Sequence, residues 1–258
     1  MVGMRGWWQD LTDLVLPAEC GGCGRPRTVL CPGCRAALME AAPRRVRPAP
    51  EPPGLPVVHA AAPYEDEVRA ALLAHKERGA LMLAGPLGVA LAGAVRAGLA
   101  SGGGSGAPVL LVPVPSARRA VRARGHDPAR RIALAAAGEL RRAGTSVRVL
   151  AVLRQRRAVA DQSGLNSRQR LDNLAGALEV AAGGARLLAE GGRAVLVDDL
   201  MTTGASLTEA ARALRAAFAE VGDRPQAIAG MGDPNSTGSM ISAAVVAASR
   251  ASFEIIRN

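Results

Sequence analysis

Two adjacent carboxylates stand between an apolar run and a loop of small hydroxylated residues in the stretch Val195-Leu196-Val197-Asp198-Asp199-Leu200-Met201-Thr202-Thr203-Gly204-Ala205-Ser206. Ionised carboxylates only accept hydrogen bonds, whereas a vicinal diol donates them, so Asp198 and Asp199 suit the hydroxyls of a sugar ring. The loop offers a different chemistry. Thr202, Thr203, Gly204, Ala205 and Ser206 combine three hydroxyls with free backbone N–H groups at a helix start, where the helix dipole favours an anion. Diol at one end and phosphate at the other describe a ribose 5-phosphate. The alternative reading of the same residues is an acidic strand end followed by a Thr/Ser helix cap.

A second constellation lies near the amino terminus. Cys20-Gly21-Gly22-Cys23 and Cys31-Pro32-Gly33-Cys34 hold all four cysteines of the chain. Each Cys-x-x-Cys can turn two sulfurs onto one ion, and the intervening residues return the chain for the second pair, so the spacing fits a four-thiolate zinc site. Four ligands leave no open coordination position, which makes the role structural. A disulfide pair is the alternative, and a redox Cys-x-x-Cys lacks the strand-to-helix context that such a motif requires.

These groups need elements to position them. Val195–Val197 reads as a strand buried on both faces, and the Ala- and Leu-rich run from Leu207 to Phe218 has helical spacing, so the carboxylates fall at the carboxyl end of a parallel strand. Further strands are expected at Val57–Ala62, Val109–Val112, Val147–Leu153, Ala177–Val180, Gln226–Met231 and Ala243–Ala247. Helices are expected at Tyr64–Glu77, at Leu81–Leu99 after a break at Gly79, at Asp127–Arg142 with Asp127 as N-cap and Pro128 in the first turn, and at Asn166–Leu174. The alternation indicates an α/β fold with a parallel sheet. Residues 1–42 form the cysteine module, the Pro- and Arg-rich residues 43–56 a linker, and residues 57–258 the main domain.

Composition narrows the partners. The chain has 258 residues, 49% of them hydrophobic, enough for one full core and a small accessory module. Trp7, Trp8 and Asp10 occupy the place where a signal peptide would carry its apolar run, so a cytoplasmic protein is expected. The longest apolar run, Ala80–Val95, is 16 residues with Pro86 and three glycines. That is short of the roughly 20 residues that span a bilayer, and no membrane insertion is expected. Of the net charge of +10, the segment Val112–Arg170 carries +11 and the remainder −1. Such a segment can attract a diphosphate or a nucleic-acid backbone, or it can be a solvated arginine surface. None of the five aromatic residues lies in it, which argues against single-strand binding by base stacking.

Val195–Ser206 resembles the phosphoribosyl-pyrophosphate (PRPP) motif of type I phosphoribosyltransferases. With both ends of the chain in view, the resemblance narrows to the ComF/GntX-type phosphoribosyltransferase-like proteins. Leu16-Pro17-x-x-Cys20-x-x-Cys23-Gly24 is similar to the family's zinc ribbon, His75-Lys76-x-Arg78-Gly79 to its Lys-x-x-Gly element, and Val112-Pro113-Val114-Pro115 with Arg118, Arg119 and Arg124-Gly125 to its Val-Pro-Val-Pro loop. Gln162-x-x-Leu165 leading to Arg170-x-x-Asn173 is a further match. Many members have Gly-Phe-Asn-Gln where this chain has Gly125-His126-Asp127-Pro128, so no ligand role carries over to position 126.

The resemblance implies a type I phosphoribosyltransferase-like parallel sheet flanked by helices and preceded by a small four-cysteine zinc ribbon of Cys20, Cys23, Cys31 and Cys34. It implies a PRPP site with Asp198 and Asp199 on the ribose, Thr202 to Ser206 on the 5′-phosphate, and Ser116, Arg118, Arg119 and Lys76 on the diphosphate, which would arrive with Mg²⁺. Arg154–Arg170 corresponds to the loop that closes over such sites, or is an ordinary exposed basic loop. Two classes of function follow: a Mg²⁺-dependent phosphoribosyltransferase with an unidentified acceptor, and a PRPP-binding adaptor in DNA uptake or competence that contacts single-stranded DNA or DNA-uptake and recombination proteins.

Overall fold

The computed structural model describes residues 19–101, 107–157, 159, 166–222 and 241–254. Its centre is a six-stranded sheet built from β1 (Arg44–Val46), β2 (Val57–Pro63), β3 (Val109–Pro113), β4 (Val147–Val149), β7 (Arg193–Met201) and β8 (Ile241–Ala248), in the order β1-β2-β8-β7-β3-β4. All neighbours run parallel except β1, which pairs antiparallel with β2 at the edge. β7 is flanked by β8 and β3, so the carboxylate-bearing strand is interior.

The alternation of side chains explains the layers. On β7, Val195 and Val197 join one core with Leu111 of β3 and Ala244 of β8, whereas Ala194 and Leu196 join the other with Leu110 and Val245. Successive strand residues point to opposite faces, so apolar residues at every position bury both faces and demand helices on each. α2 (Asp66–Glu77), α3 (Ala84–Ser101) and α5 (Pro128–Arg142) cover the first face, and α8 (Ala205–Gly222) the second. α3 has the length and composition of a membrane-crossing helix together with the short 3₁₀ turn Leu81–Leu83, yet half of that span is buried in the protein. A Cβ on its Gly88 would come within 2.5 Å of Ala135 Cβ on α5, so the two helices meet at a contact only glycine permits.

The Pro- and Arg-rich stretch expected as a linker contains β1, and its Leu55 and Pro52 pack against Gly204. The cysteine module is continuous with the main core: α1 (Pro32–Met39) contributes Cys34 and Leu38 to the cluster that holds Leu72 and Leu83. The segment expected as one strand, Val147–Leu153, divides. β4 stays in the sheet, and β5 (Leu153–Gln155) leaves it to pair antiparallel with β6 (Leu178–Val180). The outer edge of this hairpin is closed by α8, where the Glu209 carboxylate accepts the Leu178 N–H at 2.9 Å and Arg212 donates to the Leu178 carbonyl at 2.8 Å. Those side chains take the backbone groups that a further strand would use. The strand expected at Gln226–Met231 lies outside the described residues. Between β5 and β6 stands α6 (Ser167–Leu174), and α7 (Gly184–Ala189) leads into β7.

Candidate functional site

The carboxyl ends of β3 and β7 lie side by side, Pro113 opposite Val197, and the Val114 N–H donates to the Val197 carbonyl at 2.9 Å. That pairing brings the residues after β3 next to Asp198. Asp199 is 5% exposed, and its own N–H donates to Asp198 Oδ1 at 2.8 Å. Lys76, the only lysine of the chain, reaches in from the last turn of α2 and places Nζ 2.8 Å from Asp199 Oδ2. The end of α2 is held for this purpose by two contacts. A ring nitrogen of His126 meets the His75 carbonyl at 3.1 Å, and Arg124 forms an ion pair with Glu77 at 2.8 Å.

The two carboxyls are electrostatically unequal. Burial pushes Asp199 up, but the Lys76 ammonium outweighs it and holds the group below the usual carboxylate range. Asp198 is driven well above that range by burial and by the negative charge of Asp199 beside it. Lys76 is raised, because attraction to Asp199 and Asp198 exceeds its own desolvation. The two expected acceptors are therefore not equivalent: Asp199 holds its negative charge more readily than Asp198.

After Met201 the chain turns through Thr202, Thr203 and Gly204 into α8. Gly204 has φ 78°, a left-handed conformation natural to glycine, and a Cβ there would also meet Leu55 at 3.0 Å. The Gly204 carbonyl accepts the Thr208 N–H, which turns the peptide N–H groups of the helix start outward into a small recess lined by Asp198 and residues 200–207. Asp198, expected on the diol, and the expected phosphate residues thus share one concavity, whereas the buried Asp199 is not part of its lining.

Ser116, Arg118 and Arg119 lie on the neighbouring loop and on the first turn of α4 (Arg118–Arg124). The Ser116 N–H is taken by Asp127 Oδ2 at 3.2 Å, while Asp127 Oδ1 caps α5 through the Arg130 N–H. Both arginine side chains are exposed. Lys76, expected on the diphosphate, is paired with Asp199. Two further arginines belong to this edge, although the sequence does not mark them as ligands. The Arg124 side chain is only 14% exposed and lies close enough for Lys76 to feel its charge. Arg170 on α6 points Nη1 at Thr202 Oγ1, 3.5 Å away. Both lie in motifs that carry the family resemblance, but which arginine is drawn inward depends on tertiary packing that no local pattern displays.

The four cysteine sulfurs lie within 4.8 Å of one another, all as free thiols. Cys23 and Cys31 are 3.6 Å apart, close to the edge of about 3.8 Å that a tetrahedral Zn–S bond of ~2.3 Å gives. The cluster can hold a metal ion such as zinc. Burial disfavours the Cys20 thiolate, yet backbone N–H groups of Cys23, Cys31 and Gly22 donate to it and bring the thiol down to about 6. Burial and the three neighbouring cysteines push Cys34 up. A Cβ on Gly22 would stand 2.6 Å from Cys34 Sγ, so this knuckle needs glycine to bring its sulfurs together.

A scan against protein-family models finds no match, and a search of curated proteins finds no similar one.

Proposed function

We propose that this protein binds PRPP with Mg²⁺ and transfers the phosphoribosyl group to a nucleophile, as a type I phosphoribosyltransferase-like member of the ComF/GntX kind. The observation that carries the reading is the meeting of four separate segments, around Lys76, Ser116, Arg170 and Asp198–Ser206, at the carboxyl edge of one parallel sheet. Ligands of open α/β sheets bind at that edge. The recess beside Asp198 suits a 5′-phosphate, the acid pair a ribose diol, and the arginine-bearing side beyond β3 a diphosphate.

In the transfer the ribose C1–O bond breaks with its electron pair leaving on the diphosphate, and an acceptor lone pair forms the new bond to C1. Asp199, kept ionised by Lys76, supplies the fixed negative charge that eases positive charge on the ring, and Asp198 can accept from a ring hydroxyl. Mg²⁺ takes oxygen ligands and commonly reaches a site on substrate phosphates with one or two carboxylates; here an ionised Asp198, which lines the recess, would be the carboxylate to hold it. Its chemistry would be neutralisation of the leaving diphosphate. The four thiols fit a structural Zn²⁺ that fastens the module to α2.

A second reading, a PRPP-binding adaptor that contacts DNA or DNA-processing proteins, is favoured by the exposed side chains of Arg118, Arg119, Arg122, Arg130 and Arg131 on α4 and α5. Isothermal titration with Mg-PRPP, followed by pyrophosphate-release assays over bases, nucleosides and single-stranded DNA, separates the two. Binding with release identifies the transferase, binding without release the adaptor, and no binding refutes both.

A further inference from the structure

Arg170 is placed by a short and well-fastened helix. Asn166 and Gln169 cap α6 reciprocally, each side chain accepting the other's backbone N–H at 2.9 Å. At the other end Leu174 packs with Ala177 and with Ala205, the first residue of α8. Residues four apart share a helix face, so Arg170 lies on the side of Leu174, toward the start of α8. Its Nη1 donates to Thr202 Oγ1, and its Nε is buried and, among the described residues, without a hydrogen-bond partner. A buried guanidinium N–H lacking an acceptor is costly to keep, and here it stands beside a loop whose hydroxyls and outward N–H groups suit an anion.

We propose that Arg170 is a direct ligand of the phosphate monoester held by the Thr202–Ser206 loop. This rests on the reading of that loop as a sugar-phosphate cradle and adds the cationic side chain that completes it. The planar guanidinium can offer Nε and one Nη to two phosphate oxygens, which an ammonium cannot do. Thr202 holds the group in place until the anion arrives. Because its contact is with Thr202 of this loop, Arg170 reads the monophosphate end of the ligand and leaves the diphosphate end to other residues.

The experiment compares wild type, R170K and R170M by calorimetric titration with ribose 5-phosphate, Mg-PRPP and Mg-pyrophosphate, with melting temperatures measured in parallel. R170M is expected to weaken ribose 5-phosphate and Mg-PRPP by about tenfold or more, the loss of a charge-assisted bidentate contact, and to leave Mg-pyrophosphate unchanged. R170K should recover only part of the loss. Wild-type affinity of R170M for ribose 5-phosphate overturns the proposal while the cradle stands. Failure of the wild type to bind ribose 5-phosphate and PRPP removes the cradle itself and the proposal with it. Equal weakening of all three ligands with a lowered melting temperature in both variants assigns Arg170 a structural role and also overturns it.

Discussion

Lys76 Nζ donates to Asp199 Oδ2 at 2.8 Å across 123 residues of sequence, joining the end of the first long helix to the end of the central strand. The pair is asymmetric in exposure, with the lysine side chain 34% accessible and the aspartate 7%. Its effect is to hold Asp199 below the ordinary carboxylate range while Asp198 beside it is raised. The acid pair is therefore two electrostatically unequal groups.

Removing Lys76 should therefore act through Asp199. K76M is expected to destabilise the protein by about 1 to 3 kcal/mol, below the cost of breaking a fully buried pair because water reaches the lysine. K76R should retain most of the stability, since it keeps the charge. In K76M the Asp199 carboxyl should titrate upward, which carboxylate NMR reads directly, and an unshifted Asp199 would show that Lys76 is not what holds it down.

The two aspartates should respond unequally to neutralisation. D199N removes a charge and is expected to weaken Mg-PRPP by about 1.5 to 3 kcal/mol, the scale of a charge-assisted hydrogen bond. D198N replaces the carboxyl that burial and Asp199 hold above the ordinary range and should cost less. Equal losses in both variants, with melting behaviour retained, would mean that the two carboxyls are equivalent.

Stability should follow pH with opposite signs at these neighbours. Asp199 sits below its ordinary value when folded, so its contribution is present above that value and lost as pH falls through the lowered one. Asp198 sits above, so the folded state holds its proton more tightly and loses stability as pH rises from the ordinary carboxylate range through the raised value. D198N abolishes that second loss. Melting curves of D198N and wild type should coincide in acid and diverge in favour of D198N toward neutral pH.

Some of this was legible from residues alone. Asp127 before Pro128 is a local cap signal, and the cap forms as its spacing requires. The apolar runs before Asp198 and before Pro113 mark interior strands, because a strand buried on both faces reads as a near-continuous hydrophobic run. The Lys76–Asp199 pair was not legible, because nothing in either local sequence specifies a partner so far away. Nor was the antiparallel β5–β6 pairing, whose outer edge is closed by Glu209 and Arg212 of a later helix. β1 lay hidden in a Pro- and Arg-rich stretch, where an edge strand needs only one apolar residue, Val46, turned inward.

The cysteine cluster should contain one zinc ion per chain when the protein is prepared under reducing, chelator-free conditions. Because Cys34 and Leu38 share a core with Leu72 of α2 and Leu83, removal of the metal should lower the melting temperature of the whole protein and not merely free a tail. Gly22→Ala should reduce metal affinity through its clash with Cys34 Sγ. Substoichiometric zinc by elemental analysis, or a metal-free protein with unchanged melting, would refute the site.

The basic segment divides into arginines that support structure and arginines that face solvent, and a test for nucleic-acid binding must use the second group. Arg141 donates to the Val147 carbonyl and Arg157 to the carbonyls of Asn173 and Ala175, so reversing either charge would disturb the fold. Arg122, Arg130 and Arg131 have exposed side chains on α4 and α5. Their joint replacement by Glu should weaken binding to single-stranded DNA and flatten its dependence on salt, since a protein that neutralises fewer phosphates releases fewer counterions. Mg-PRPP affinity should be nearly unchanged. Arg118 and Arg119 begin α4, directly after the loop that β3 sets beside Asp198, and their replacement by Ala should lower Mg-PRPP affinity more than DNA affinity. Parallel loss of both ligands in both sets would mean that DNA and PRPP compete for one surface, and the division of this edge into a ligand pocket and a separate cationic docking face would fall.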